Sequence, residues 1–473
     1  MLGAVTPDFL NDLRAVLPEP AFREVAPSYL EEPRGRLTGQ AAAVVAPGTV
    51  DEVAEVLRRA NAARVPVVPY GGGTGLVGGQ IALDGPAPLL LSLERMTQVR
   101  EVDAPDGILT VEAGVTLQDV QEAATEAGWL FPLSIASKGT ARIGGILSTN
   151  AGGVNVVRYG NARAQCLGIE VVLPSGEVIH GLKKLRKDNT GYDLRDLMIG
   201  AEGTLGVITA ATLSMAPIPE SEATALFAVT DPEAALALLT LARKRAGESV
   251  SAFELLSRRG LDFLDETGPK FRDPFEARPD WMVLLELGLS GGQEAEAAMT
   301  ALFEDAYDVG LVQDGVIAAS EAQRQALWYI RENIPVANRR IGAVMSHDIS
   351  VPVARIPEFI RRGDQAIGGL GNFRVNCFGH MGDGNLHYNI FPPEGEDRHA
   401  YDPVRKDVMR AVHDLADSMG GSISAEHGIG RIKTGELERY GDPGKLAVMR
   451  AIKSALDPNG IMNPGAVLKQ STN

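Results

Sequence analysis

Apolar positions along this chain change their spacing several times, and each change predicts an element. Residues 41–46 form a short apolar run read as a strand. Thr49 then stands as an N-cap, and Val53, Val56, Leu57 and Ala60 recur on one stripe, which predicts an amphipathic helix over 51–63. Residues 65–69 return as a strand. Further strand-like runs follow at 89–93, 108–112, 169–173 and 207–213, punctuated by Gly, Pro and Asp. After Pro217 and Pro219 the pattern lengthens into helical segments at 232–246, 293–306 and 321–333, alternating with strands such as 282–287. A helix over 401–419 leads to the last segment, whose helix 445–456 stops at Asp457-Pro458. The expected fold class is α+β, with domains at 1–217 and 218–415 and a C-terminal segment at 416–473.

The strand at 65–69 runs straight into Pro69-Tyr70-Gly71-Gly72-Gly73-Thr74-Gly75-Leu76, the start of the densest glycine cluster in the chain. Such a loop frees backbone N–H groups to converge on an anion, which implies a nucleotide cofactor. No Lys-Ser or Lys-Thr follows, so it is not a Walker loop, and no amphipathic helix follows to make a Rossmann turn. A second stretch, 137–153, offers the small residues Gly144, Gly145, Gly152 and Gly153 for a flat ligand to lie against, with Ser148, Thr149 and Asn150 as hydrogen-bonding groups. A third contains Glu202, Gly203, Gly206 and Ile208. Three such stretches in one domain fit an extended dinucleotide.

Three of the seven histidines fall in two late clusters, Gly379-His380-Met381-Gly382-Asp383-Gly384-Asn385-Leu386-His387-Tyr388-Asn389 and Ala425-Glu426-His427-Gly428. The Gly382–Asn385 turn signal between two apolar runs reads as a hairpin, on which His387 and Asn389 share a face. Two imidazoles and a carboxylate make the ligand set of an open zinc-type site, with His427 a fourth candidate beside it. Glu426 and His427 are adjacent, so only a bend, which Gly428 and Gly430 permit, lets both serve one site.

Composition narrows the partners. At 473 residues and 45% hydrophobic the chain supplies more than one core. Its 45 basic against 61 acidic residues, net −16, oppose nucleic acid and anionic membrane as partners. Cys166 and Cys377 are the only cysteines, too few for a disulfide framework or a four-Cys cluster, and they fit a reducing cytoplasm. Residues 1–20 carry Pro7 and Pro18 and resemble neither signal peptide nor anchor, and no segment is apolar enough to span a membrane.

Taken in order, the glycine loop at 69–75, the stretches 144–153 and 200–208, the hairpin 379–389, the 425–430 bend and residues 457–465 resemble the FAD-linked oxidase family of the vanillyl-alcohol-oxidase fold, most of all its D-2-hydroxyacid dehydrogenases. The resemblance spans about residues 33–468. It implies a two-subdomain FAD-binding part, a cap domain and a C-terminal piece completing the site. It also implies FAD on the glycine stretches, a divalent metal, zinc or manganese, on His380, His387 and Glu426, and His427 as catalytic base. Asn389 and Arg331 match substrate-contacting residues. The D-2-hydroxyglutarate enzymes carry a threonine four residues after that arginine and a lysine some eleven further. Here those places hold Pro335 and Ser346, with His347 next as a substrate-contacting candidate. That departure favours a monocarboxylic or differently substituted D-2-hydroxy acid. Covalent flavin is disfavoured, because His180 and Cys166 lie outside the glycine loop. With no cluster of its own, the chain implies an external electron acceptor, and a homodimer is compatible with it. The alternatives are a flavin subunit of a glycolate-oxidase-like complex, or another flavin oxidase or transferase on the same fold.

Overall fold

Thr49 accepts a hydrogen bond from the Glu52 amide and starts the helix Val50–Ala63, whose stripe Val53, Ala54, Val56, Leu57 and Ala60 is buried. That helix joins two strands, Ala43–Val45 and Val67–Tyr70, which both run parallel to Leu89–Ser92 between them. The two-residue strand Phe22–Arg23 pairs antiparallel at the edge and completes a four-stranded sheet. Val45, Val67, Leu89 and Leu91 meet the helix stripe in one core. An antiparallel sheet of five strands follows in the order Val99–Asp103, Ile108–Glu112, Val207–Ser214, Cys166–Val172, Val178–Gly181. Its core takes Val120 and Ala124 from the helix Leu117–Glu126 and Ile143, Ile146 and Leu147 from the helix Ile143–Thr149.

This computed structural model describes residues 2–469 and divides into two units. The first comprises Met1–Gly152, Asn161–Ile218 and Glu426–Asn473, the second Gly153–Gly160 and Pro219–Ala425. The first boundary therefore falls one residue beyond the expected 217, and the returning segment starts at Glu426 instead of 416. The inclusion of Gly153–Gly160 in the second unit had no signal in the sequence. Among the described residues no helix is long and apolar enough to cross a membrane.

The second unit is built on a seven-stranded antiparallel sheet, in the order Val312–Ile317, Ser221–Val229, Trp281–Leu289, Val250–Ser257, Arg374–His380, Asn385–Phe391, Met345–Ser350. Its central strands read as continuous apolar runs because both faces are covered. Ala225, Phe227 and Val229 enter one core with the helices Pro232–Ala246, Ala295–Asp308, Ile356–Gly368 and Arg405–Ser418. Leu226 and Ala228 enter the other with Arg258–Thr267 and Glu321–Ile341. The last of these runs through Pro335, well past the expected end at 333. An interior proline costs a helix about 3 kcal/mol, but Leu327, Ile330, Ile334 and Ala337 bury a common stripe, and carrying that stripe past the proline offsets the lost hydrogen bond.

Candidate active site

The hairpin predicted at 379–389 is present, with strands Arg374–His380 and Asn385–Phe391. Its turn is fixed locally. Asp383 accepts from the Asn385 amide at 3.0 Å, Arg243 donates to the Gly382 carbonyl at 2.7 Å, and Gly384 sits at φ +94°, where a Cβ would lie 2.3 Å from the Val351 carbonyl. Register then decides which side chains share a face. His387 pairs with Phe378 on one side and Asp348 on the other, Asn389 with Asn376 and Ser346, and His380 with Glu254 of Val250–Ser257. His380, His387 and Asn389 are therefore gathered on one face with Glu254 and Asp348.

On that face the rings of His380 and His387 stand 5.4 Å apart, edge to face, and a ring nitrogen of each lies within 4.8 Å of the other. Glu254 is fully buried. Its Oε1 lies 2.6 Å from His380 Nδ1, and its Oε2 accepts from Arg331 Nε at 2.6 Å. Burial alone would raise this carboxyl, yet the charges of His380 and Arg331 beside it hold it down to about 2. Arg331 comes from the helix Glu321–Ile341, is itself buried, and lays its guanidinium 4.9 Å above the Phe378 ring. Its two terminal nitrogens donate to no group among the described residues. They are thus free to hold a carboxylate. Asp348 accepts from Asn385 at 2.9 Å and stands 4.0 Å from His387 Nδ1.

His347 is not brought to this face. Strand side chains alternate, so with Ser346 and Asp348 facing the histidines, His347 turns to the opposite core beside its register partner Tyr388. There it meets His413 of the helix Arg405–Ser418, ring centroids 5.1 Å apart. Its expected role in substrate contact is corrected on that ground.

In the first unit, residues 71–80 form the irregular loop that the glycines predicted. Close backbone approach explains them. A Cβ at Gly72 would lie 2.0 Å from the Thr140 carbonyl, and Gly71 packs against the Gly145 backbone. Pro69 is the penultimate residue of the strand before the loop, and Gly203, at φ +69°, packs on the Pro69 ring. The second polar stretch is not extended throughout. Gly144, Gly145, Ser148 and Thr149 lie in the helix Ile143–Thr149, and Asn150 caps it in the left-handed region with its side chain accepting from Arg163. Gly206 approaches the Val172 carbonyl, while the Ile208 side chain is in the core.

Glu202 does something the sequence did not suggest. Both carboxylate oxygens accept backbone amides of the returning segment, Ile429 and Gly430, at 2.8 Å each. Burial raises its carboxyl, and those two amides pull it partly back. Arg431 donates to the carbonyls of Gly78 and Gly79 at 2.9 Å, and Asn463 ties Gly79 to the Glu202 carbonyl. Glu426 and His427 open this segment as a bend, with Gly428 at φ +79° and Gly430 at +50°. The bend is thus anchored just after His427.

Comparison with known proteins decides the family. The C-terminal domain of the FAD linked oxidases matches residues 218–467, and an FAD binding domain matches residues 41–181. The chain belongs to the FAD-linked oxidases. A protein of Xanthomonas citri pv. viticola named D-2-hydroxyglutarate dehydrogenase is 39% identical over 92% of this chain and 90% of its own length. A mitochondrial protein of Danio rerio with the same name is 35% identical over 99% of this chain and 86% of its own length. Among solved structures, p-cresol methylhydroxylase with substrate bound superposes with a TM-score of 0.77 at 18% identity, covering 100% of this chain and 99% of that one. An alkyldihydroxyacetonephosphate synthase gives 0.72 at 17% identity, over 98% of this chain and 85% of that one. These two show the fold of this FAD-linked oxidase, the vanillyl-alcohol-oxidase type.

Proposed function

We propose that this FAD-linked oxidase is a D-2-hydroxyacid dehydrogenase, removing two electrons from the carbinol of a small D-2-hydroxy acid to give the 2-oxo acid. The observation that carries the reading is the arrangement of the buried Arg331, Glu254 and His380 with the half-buried His387, which pairs a carboxylate grip with two metal-type ligands on one sheet face. FAD, held without a covalent bond on Pro69, Gly71–Leu76 and the 144–153 and 202–208 stretches, supplies the hydride acceptor. The closely approaching backbones at Gly71, Gly72 and Gly145 suit a cofactor that lies on main chain. A divalent metal on His380, His387 and Glu426, zinc or manganese, supplies Lewis acidity toward the substrate hydroxyl. The donor set fits, since both imidazoles are on hand and His380 has its Nδ1 engaged by Glu254.

His427 takes the hydroxyl proton as the hydride leaves the α-carbon, so that no unpaired alkoxide builds up. Arg331 holds the substrate carboxylate with its terminal nitrogens and fixes which face of the carbon is presented. Asn389, on the same face as His387, orients the hydroxyl by hydrogen bonding.

For the substrate itself, the residues after Arg331 favour a monocarboxylic or differently substituted acid. Pro335 has neither hydroxyl nor N–H to offer a distal carboxylate, and Ser346, on the face of Asn389, has no charge. D-2-hydroxyglutarate is the second reading, favoured by the names of relatives at 39% and 35% identity. An anaerobic titration of the purified protein with D- and L-2-hydroxy acids tests both. Bleaching of the flavin by D-lactate-sized acids supports the first reading, preference for D-2-hydroxyglutarate supports the second, and bleaching by neither series sinks the dehydrogenase reading. The electron acceptor lies outside the chain, and co-purification with a cysteine-rich partner would place it as a subunit of a larger complex. Two buried free thiols suit the reducing cytoplasm we assign to it.

A further inference from the structure

We infer that Glu254 is a positioning residue that sets a metal-type ligand and the substrate-gripping arginine as one rigid unit, so that metal affinity and substrate affinity are linked through a single buried carboxylate. The inference rests on the metal and substrate roles proposed above for His380 and Arg331.

Glu254 is the one charged residue of the strand Val250–Ser257, whose other members are apolar or small. It is wholly withdrawn from solvent, and each oxygen has one partner, His380 Nδ1 and Arg331 Nε, both at 2.6 Å. A carboxylate at that depth is tolerated only when paired and hydrogen-bonded. The pairing has a direction. To donate to Glu254, Nδ1 of His380 must carry the proton, which leaves the lone pair on Nε2 and makes Nε2 the ligand atom. A carboxylate behind a ligating imidazole in this way orients the ring and raises its basicity. On the other side, engaging Nε fixes the plane of the Arg331 guanidinium, which also rests on the Phe378 ring at 4.9 Å. The two terminal nitrogens then point as a preset fork. Neither side chain can turn without loosening the other, because both answer to the same carboxylate.

A purely architectural ion pair would stabilise the fold and nothing more. The distinguishing measurement is zinc affinity, read by competition with a chromophoric chelator on the full-length, FAD-loaded chain, alongside KM for the best substrate and the melting temperature. Glu254→Gln is expected to weaken zinc about 10- to 100-fold and to raise KM in parallel, with flavin content unchanged. Glu254→Asp keeps the charge but cannot reach both partners, and is expected to show a smaller loss of the same kind. It decides the matter if the Gln variant fails to fold. A Gln or Asp variant that binds zinc as the wild type does, with only its melting temperature moved, overturns the inference and leaves the metal site standing. If instead the wild type takes up no zinc, or His380→Ala takes up as much as the wild type, the metal site itself is wrong and the role of Glu254 falls with it.

Discussion

His427 and Arg331 are expected to fail in different ways when replaced. His427→Asn removes the proposed base and should slow flavin reduction by ~100- to 10,000-fold while FAD and the proposed metal stay bound, which rapid mixing under anaerobic conditions reads directly. Near-normal reduction would mean that the proton goes elsewhere. Arg331 is better tested by Lys than by Ala, because Ala would leave the buried Glu254 with one partner, a change that costs about 3–5 kcal/mol in comparable buried pairs. Arg331→Lys retains a charge but loses the fork. Losing charge-assisted hydrogen bonds of about 1.5–3 kcal/mol should raise KM by roughly one to two orders of magnitude, more than it lowers kcat. Unchanged constants would remove Arg331 from the substrate. Single residues were also where the sequence was least complete. His380 and His387 announced themselves by their spacing and chemistry. Glu254 stands 126 positions from His380 and 77 from Arg331, and only the sheet register, with the helix Glu321–Ile341 packed on that face, brings the three together. The one available signal was a lone charge in an apolar strand. His347 erred in the other direction, since a one-residue step along a strand reverses the face.

At the scale of elements, local chemistry was legible wherever it was self-sufficient. Thr49 caps the helix it was placed before, and the helix Pro232–Ala246 has the bounds its periodicity gave. The helix Ile143–Thr149 was hidden because its glycines and hydroxyls read as loop, and it stands on burying Ile143, Ile146 and Leu147 in the core of the five-stranded sheet. Pro335 likewise misled, since the apolar stripe on either side outweighs the proline. The glycine loop offers a test at this scale. Gly72→Ala puts a methyl group 2.0 Å from the Thr140 carbonyl, a backbone atom that cannot step aside as a side chain would. Overpacking of this kind costs about 1–3 kcal/mol and should displace the loop from the segment holding Thr140. We expect the variant to purify with less flavin and to need added FAD for activity, checked by the ratio of flavin to protein absorbance. A variant that retains full flavin would show that the loop approaches Thr140 for packing alone.

For the whole molecule, the residues proposed for the two cofactors are different sets, most of one in the first unit and two of the three of the other in the second. The proposed FAD-holding stretches at 69–76, 144–152 and 202–208 belong to the first unit, whereas His380 and His387 belong to the second, on a sheet whose two faces are covered by helices and whose integrity rests on large apolar cores. None of His380, His387 and Glu426 is among the residues assigned to FAD, so removing a metal from them leaves those residues in place. Treatment of the purified protein with a strong chelator should keep it yellow, with flavin absorbance unchanged, while reduction by substrate falls sharply and returns on adding zinc or manganese. Reduction by dithionite, which needs no substrate site, should be unaffected before and after. The measurement separates three cases. Loss of colour on chelation would mean that the metal supports flavin binding. Full substrate activity without metal would remove the Lewis acid from the reaction and leave His427 and Arg331 to carry it. Restoration by one metal and not the other identifies the ion that two imidazoles and a carboxylate select, a choice that ligand chemistry leaves open between a tetrahedral preference and a higher coordination number.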